Sequence, residues 1–235
     1  LCGPPGAVMA IVVLFVGDPG AGSVDEGGAE GLEDLGRQSA VHSLRIILRS
    51  PNFVVATSGM VFVIFALGGL ADFIGSFFIR YQGSSLSEAG LAVGAITVCG
   101  GIGGNVLGTV VTTRCAGKCR NAHFQVPALF ALAAAACAFL TLSLTDERLL
   151  AYGGLLAAQA LIWTHMAPMT SVTLASVPAR LRAQACGTQI FLTHALGDVI
   201  SPPIIGLISD RSGSLRAGLQ ICWVALLAGG AVWLG

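Results

Sequence analysis

Charge is what this 235-residue sequence has least of. Asp, Glu, Lys and Arg together make up 10% of it, where an ordinary soluble domain carries about a quarter. Twelve acids and twelve bases do not cover the surface of a water-soluble fold of this length. Half of the acids (Asp18, Asp25, Glu26, Glu30, Glu33 and Asp34) are crowded into one short segment, so the rest of the chain is poorer still and compatible with lipid. Neither sign is in excess. A formal net charge of zero excludes the basic footprint that nucleic-acid binding requires, and no nucleic-acid partner is expected.

Catalytic motifs are missing as well. There is no H-E-x-x-H, no loop-borne Ser/His/Asp set and no pair of carboxylates in a soluble segment, so enzyme activity has no foothold and no cofactor is called for. The seven cysteines, at positions 2, 99, 115, 119, 137, 186 and 222, include no C-x-x-C pair and fall mostly inside apolar runs. A free thiol there behaves as a small hydrophobe, and no disulfide framework is described. Cys115, Cys119 and His123 share a helix face at a spacing of four, but no fourth ligand accompanies them and no metal site is expected.

What is abundant is apolar length. Hydrophobic residues make up 54% of the chain and the mean hydropathy is +0.82. From residue 52 onward six apolar runs follow one another, at about 53–79, 89–113, 124–144, 149–177, 183–208 and 217–235. Each reaches the ~20 residues that a helix needs to cross ~30 Å of hydrocarbon. Within them only Asp72 and Asp198 carry a formal charge. Residues 52–235 are therefore predicted to form six membrane helices, and the fold class is an all-α membrane protein. Ahead of them Ala7 to Val16 is apolar for ten residues, too short to span and without the basic start of a signal peptide. Residues 1–16 read as the truncated end of a preceding membrane helix, in a sequence that opens on Leu1 as a piece of a longer chain would.

Residues 17–51 form the predicted connection, a cytosolic acidic Gly-rich loop with a short interfacial helix. In that helix Arg45 and Arg49 stand four apart beside a stripe of Val41, Leu44 and Leu48. With this loop cytosolic, Arg37, Arg45, Arg49, Arg114, Lys118, Arg120, Arg180 and Arg182 share its side, against Arg80, Arg148, Arg211 and Arg216 opposite. Eight against four satisfies the positive-inside rule. A truncated helix, a long cytosolic loop and six further helices is the layout of the second half of a twelve-helix transporter.

The second run opens with Ser85 and Glu88, an S-x-x-E capping box. Gly90 and Gly94, then Gly100, Gly104 and Gly108, recur every four residues and lay a smooth strip along one face. Small residues at that spacing let two backbones approach in lipid, and repeated glycine costs helix propensity, so a packing role is predicted. A phosphate loop is excluded, because Val106 stands where G-x-G-x-x-G needs its third glycine.

The fifth run carries the densest polar pattern. His194 and Asp198 are four apart and share a helix face. A carboxylate at bilayer depth costs roughly 2.5–3.5 kcal/mol on insertion scales, so it persists where it faces protein or water. The pair is a candidate for a proton or substrate pathway. The alternative is that Asp198 fastens helices near the carbonyls that Pro202 and Pro203 leave free. Asp72 follows Gly68 and Gly69 in the first run and is a second pathway candidate, unless it sits at the membrane face. His165, beside Trp163 and one turn before Pro168 and Met169, is a third. Its alternative is a hydrogen-bonded packing residue.

Residues 177–210 read VPARLRAQACGTQIFLTHALGDVISPPIIGLISD. This stretch resembles the spinster-like branch of the major facilitator superfamily, where a V-P-x-x-x-R-x-x-A turn leads into H-x-L-G-D-x-x-S-P and G-x-I-S-D. GGLADFIGSFFIRY and SLSEAGLAVGAITVCGGIGGNVLG are similar to that branch too. The resemblance implies the six-helix C-terminal half of a twelve-helix transporter built from inverted repeats and working by alternating access. It implies that the first and fourth spans line the central cavity, bringing Asp72 and His165 toward substrate. It also implies that the second and fifth spans face the other half, placing the glycine strip and the His194/Asp198 pair at a moving interface. The implied partners are membrane lipids, an amphipathic lipid substrate (a lysophospholipid or a sphingoid lipid such as sphingosine 1-phosphate) and an N-terminal six-helix half. Proton coupling occurs in some members. The superfamily's cytosolic loop motif is eroded here: Gly108, Arg114, Lys118 and Arg120 remain, but Thr112 and Thr113 replace its acid and base. The competing function is a non-transporting scaffold or degenerate half-transporter.

Overall fold

The computed structural model describes residues 3–15, 40–144 and 147–235. The acidic loop expected at 17–38 lies outside them. A 12-residue helix, α1 (Gly3–Leu14), comes first, with Val8, Ile11 and Leu14 exposed. The short helix α2 (Ala40–Arg49) leads across Ser50 into α3 (Pro51–Gln82). Then follow α4 (Leu86–Ala116) and α5 (Ala122–Leu144). The fourth span is two helices, α6 (Arg148–Trp163) and α7 (Met166–Ala175). The fifth is broken further: a 3₁₀ turn at Ala179–Leu181, α8 (Arg182–Thr193), a π turn at His194–Asp198 and α9 (Ser201–Ser212). The sixth is α10 (Leu215–Leu234). The described residues contain no strand, and six of the helical stretches are long and apolar enough to cross a membrane.

Local chemistry sets the boundaries. Pro51 opens α3, where its missing N–H costs nothing. Gly83 closes it with φ 63°, a left-handed conformation that favours glycine. Ser85 and Glu88 form the complete capping box of α4, each side chain bonded to the other's backbone N–H.

Hydrophobicity does not discriminate between protein and lipid, so packing is decided by shape. In α5 the buried face is alanine: Ala128, Ala131, Ala134, Ala135 and Ala138. That flat surface lies against α10, and a Cβ on Gly230 would sit 3.1 Å from the carbonyl oxygen of Ala128. α10 also packs on α3 and α9, while α4 packs on α6. Phe77, Phe78, Leu70, Leu142 and Leu155 fill the space between them. A second, smaller core of Ile47, Phe53, Val177, Leu181 and Ala185 pins α2 to the start of α3 and α8.

One rim of the bundle is tied by polar contacts. Arg148 meets Glu88 at 3.0 Å, and the hydroxyls of Ser84 and Tyr152 are 2.8 Å apart. The backbone N–H of Arg216 donates to Tyr81 Oη at 3.3 Å, and its guanidinium lies over the Tyr81 ring. An exposed ion pair adds little by itself.

Candidate functional site

The fifth span carries a sequence-imposed defect. Pro202 and Pro203 have no N–H to offer the carbonyls of Asp198 and Val199. The irregularity falls one turn earlier than the prolines themselves. Residues His194–Asp198 wind as a π turn, and the N–H of Val199 reaches back five residues to His194 O at 2.9 Å. Single π turns inside α-helices are frequent at functional sites. The wider turn holds His194 Nδ1 and Asp198 Oδ2 3.2 Å apart, with side chains 56% and 44% exposed.

Two glycines let this turn press onto α3. The Cα of Gly197 faces the α3 backbone, where a Cβ would lie 2.6 Å from Val61 O and 3.0 Å from Phe65 N. On the α3 side, a Cβ on Gly68 would overlap Asp198 Oδ1. Gly68 lies near the middle of the 32-residue α3, so the carboxylate sits at mid-span on the edge of the helix pair. Asp72 is one helical turn farther along the same side of α3, a rise of about 6 Å. It is exposed and makes no ion pair among the described residues. Asp72 thus follows the glycine that lies against Asp198 by one turn of α3, and it is exposed where Asp198 is half-buried.

His165 does not join them. Its side chain is 1% exposed, its Nδ1 donates to the carbonyl of Ile162 at 2.6 Å, and its ring stacks on Trp233 at 5.9 Å. Trp233 in turn donates to Ala56 O at 3.2 Å. Within these six helices His165 has the surroundings of the hydrogen-bonded packing residue that is its alternative reading. The cause is Pro168, which cannot donate to the carbonyl of Thr164. The span breaks at Thr164–His165 and the imidazole is turned inward onto α10.

In the glycine strip, Gly100, Gly104 and Gly108 are buried against the fourth span of the same bundle. A Cβ on Gly104 would fall on the Ala160 carbonyl oxygen and 2.9 Å from Trp163 Cβ. One on Gly108 would strike the Thr164 backbone, so these positions admit no larger residue without moving a helix. Gly90 and Gly94, by contrast, face open space. Arg114 and Lys118 are exposed around the turn that follows α4, and Arg182 is exposed at the start of α8, while Thr112 is buried.

Gly68 and Gly197 are the partners of the His194/Asp198 pair that sequence spacing alone does not identify. Their signal was present: a glycine directly before Asp198, and a G-G pair one turn before Asp72.

The chain matches the Major Facilitator Superfamily over residues 1–202. Human Protein spinster homolog 1 is 30% identical over 97% of this chain and 48% of its own length. The zebrafish Sphingosine-1-phosphate transporter SPNS2 is 30% identical over 95% of this chain and 46% of its own. The chain therefore spans about half the length of the curated relatives it matches. Among solved structures, a bacterial homolog of the human lysosomal transporter Spinster, inward-facing and occupied, aligns with a TM-score of 0.63 at 19% identity, covering 79% of this chain and 49% of that one. The E. coli fucose:proton symporter aligns at 0.69 and 15% identity, covering 97% and 52%. At such identities the likeness is one of fold. A superfamily match over residues 1–202 of 235, on a chain that folds as six membrane-crossing helices, makes this multi-pass membrane protein a member of the major facilitator superfamily.

Proposed function

We propose that this chain is the C-terminal six-helix half of a spinster-like secondary transporter that moves an amphipathic lipid by alternating access, with His194 and Asp198 serving proton coupling. The observation that carries this reading is the partly exposed His194/Asp198 pair at mid-span. Facing hydrocarbon, a carboxylate there would cost roughly 2.5–3.5 kcal/mol. Facing a water-lined cavity between two halves, it keeps its hydration and exchanges protons as access alternates. Asp72 lies one turn of α3 beyond Gly68 and is exposed. The relatives that the chain resembles are about twice its length, which supports a first six-helix half as its partner. The likeness to the zebrafish sphingosine-1-phosphate transporter supports a sphingoid lipid as substrate. In this arrangement Arg45, Arg114, Lys118 and Arg182 lie on the cytosolic side, as the positive-inside rule favours.

The test is lipid flux into proteoliposomes holding the chain together with a first six-helix half, using labelled sphingosine 1-phosphate and lysophosphatidylcholine. Uptake that exceeds protein-free vesicles and depends on a proton gradient is the expected result. Correct insertion of both halves with no uptake of either lipid would instead leave a scaffold that does not transport.

A further inference from the structure

The surface holds a second feature that the His194/Asp198 pair does not use. Along the α8 half of the fifth span runs a mainly apolar groove of about 570 Å³, walled on one side by Val41, Leu44 and Leu48 of α2 and on the other by Gly187, Phe191 and Leu192. A smaller hollow of about 120 Å³ continues it toward the π turn, sharing Leu48 and Leu192 and ending at Val61 and Leu196. Helix α2 is docked through Ser43 and Ile47, which are buried, so Val41, Leu44 and Leu48 are left facing the groove. Around the helix axis the next residues are Arg45 and Arg49, both exposed and without an acidic partner among the described residues.

Length and charge together define what fits. Between Gln184 and Leu196 the fifth span advances ~18 Å at 1.5 Å per residue. That is close to one leaflet, half of a ~30 Å hydrocarbon core. The groove is mainly apolar, with Gln184 and Thr188 among its lining residues, and the charged residues at its α2 end are basic; α2 is the helix that precedes the first membrane span. Gly187 forms part of the wall with nothing within 4 Å of where its Cβ would be. A side chain there would improve the helix, since glycine costs it about 1 kcal/mol. Its absence keeps the groove open.

We propose that this groove is the loading site for a single-chain anionic amphiphile taken from the cytosolic leaflet. Its phosphate sits against Arg45 and Arg49, and its tail runs along α8 between Leu48 and Phe191 toward Leu196. Guanidinium groups suit a phosphate through paired N–H donors. The head stays at the interface, where lipid heads lie, and only the tail reaches mid-membrane, next to the π turn. The inference rests on the lipid-transport reading and adds to it a site, a charge preference and an orientation.

Lysophosphatidate carrying a photoactivatable diazirine, either at the tail terminus or near the head, is the probe. It is applied to the unmodified chain reconstituted with a first six-helix half, and adducts are mapped by mass spectrometry. The terminal diazirine is expected to label residues 191–196, and the one near the head to label residues 41–48. Gly187→Leu, which fills the groove without straining the helix, should cut labelling at least tenfold. Arg45→Gln with Arg49→Gln should weaken lysophosphatidate labelling by about fivefold per arginine, while zwitterionic lysophosphatidylcholine is unaffected. A reversed order of the two labels, labelling unchanged by Gly187→Leu, or equal labelling by diacyl phosphatidate would each overturn the proposal, the last by making the occupant an ordinary leaflet lipid. Flux in the same vesicles reports separately on transport. Labelling as expected without flux keeps the groove site and removes the transport reading; flux with no labelling does the opposite.

Discussion

The carboxylate of Asp198 occupies the space that a side chain on Gly68 would fill. A glycine on one helix and an acid on another are thereby a single structural unit, and the placement of the His194/Asp198 pair depends on both. Gly68→Ala should push the π turn away from α3 at an overpacking cost of about 1–3 kcal/mol. It should also reduce flux per surface copy as strongly as loss of the acid itself. Thermal unfolding in detergent, together with flux, checks this; a Gly68→Ala protein with normal values for both means that Asp198 has another place to go.

Position along the glycine strip should matter more than composition. Gly104→Leu collides with the Ala160 carbonyl, whereas Gly94→Leu projects into open space. The first is expected to lose 3 kcal/mol or roughly that, seen as poor membrane expression and a lowered unfolding temperature, and the second to be neutral or slightly stabilising through helix propensity. Equal damage from both would mean that Gly94 is covered by something other than these six helices.

Asp198→Asn retains shape and removes charge, and His194→Gln retains a hydrogen-bonding group and removes the imidazole. Both should reach the membrane in normal amounts yet lose most lipid flux, or lose its dependence on an imposed proton gradient. If Asp198 only fastens helices, expression falls first and flux per surviving molecule stays near normal.

His165 should show the opposite pattern. It is enclosed between Ile162 and Trp233, so His165→Ala leaves a cavity costing about 3 kcal/mol by analogy with other buried rings. Expression should drop while flux per copy is preserved. A folded His165→Ala protein with abolished flux would return this residue to the transport pathway.

Which of these features could be read from the sequence follows from how local their causes are. Apolar length needs no partner to be recognised, so the six spans were legible, and so was the Ser85/Glu88 capping box, whose two halves lie three residues apart. Gly100, Gly104 and Gly108 announced a close approach, but their spacing contains no information about which helix approaches. The placement of His165 depended on where the fourth span breaks and on a tryptophan 68 residues away at position 233, neither of which a lone histidine on an apolar face encodes. The π turn was hidden for a related reason. Two prolines signalled a defect near residue 202, yet the extra residue was absorbed upstream, where Gly197 meets the α3 backbone.

That extra residue also fixes the azimuth of everything beyond it. An α-helix turns about 100° per residue, so a five-residue turn offsets the phase of α9 relative to α8 by about one position. Ser201 and Ile205 meet Gly69 because of that offset. Removing a single residue from the turn, for instance Ala195, would take out that extra residue, restore an unbroken α-helix and leave α9 packed on Gly69 as before, so that only the side chains of the turn itself would be re-aimed. The two ends of the fifth span are thus clocked separately: the α8 end by its groove with α2, and the α9 end by α3 and α10, with the π turn as the gear between them.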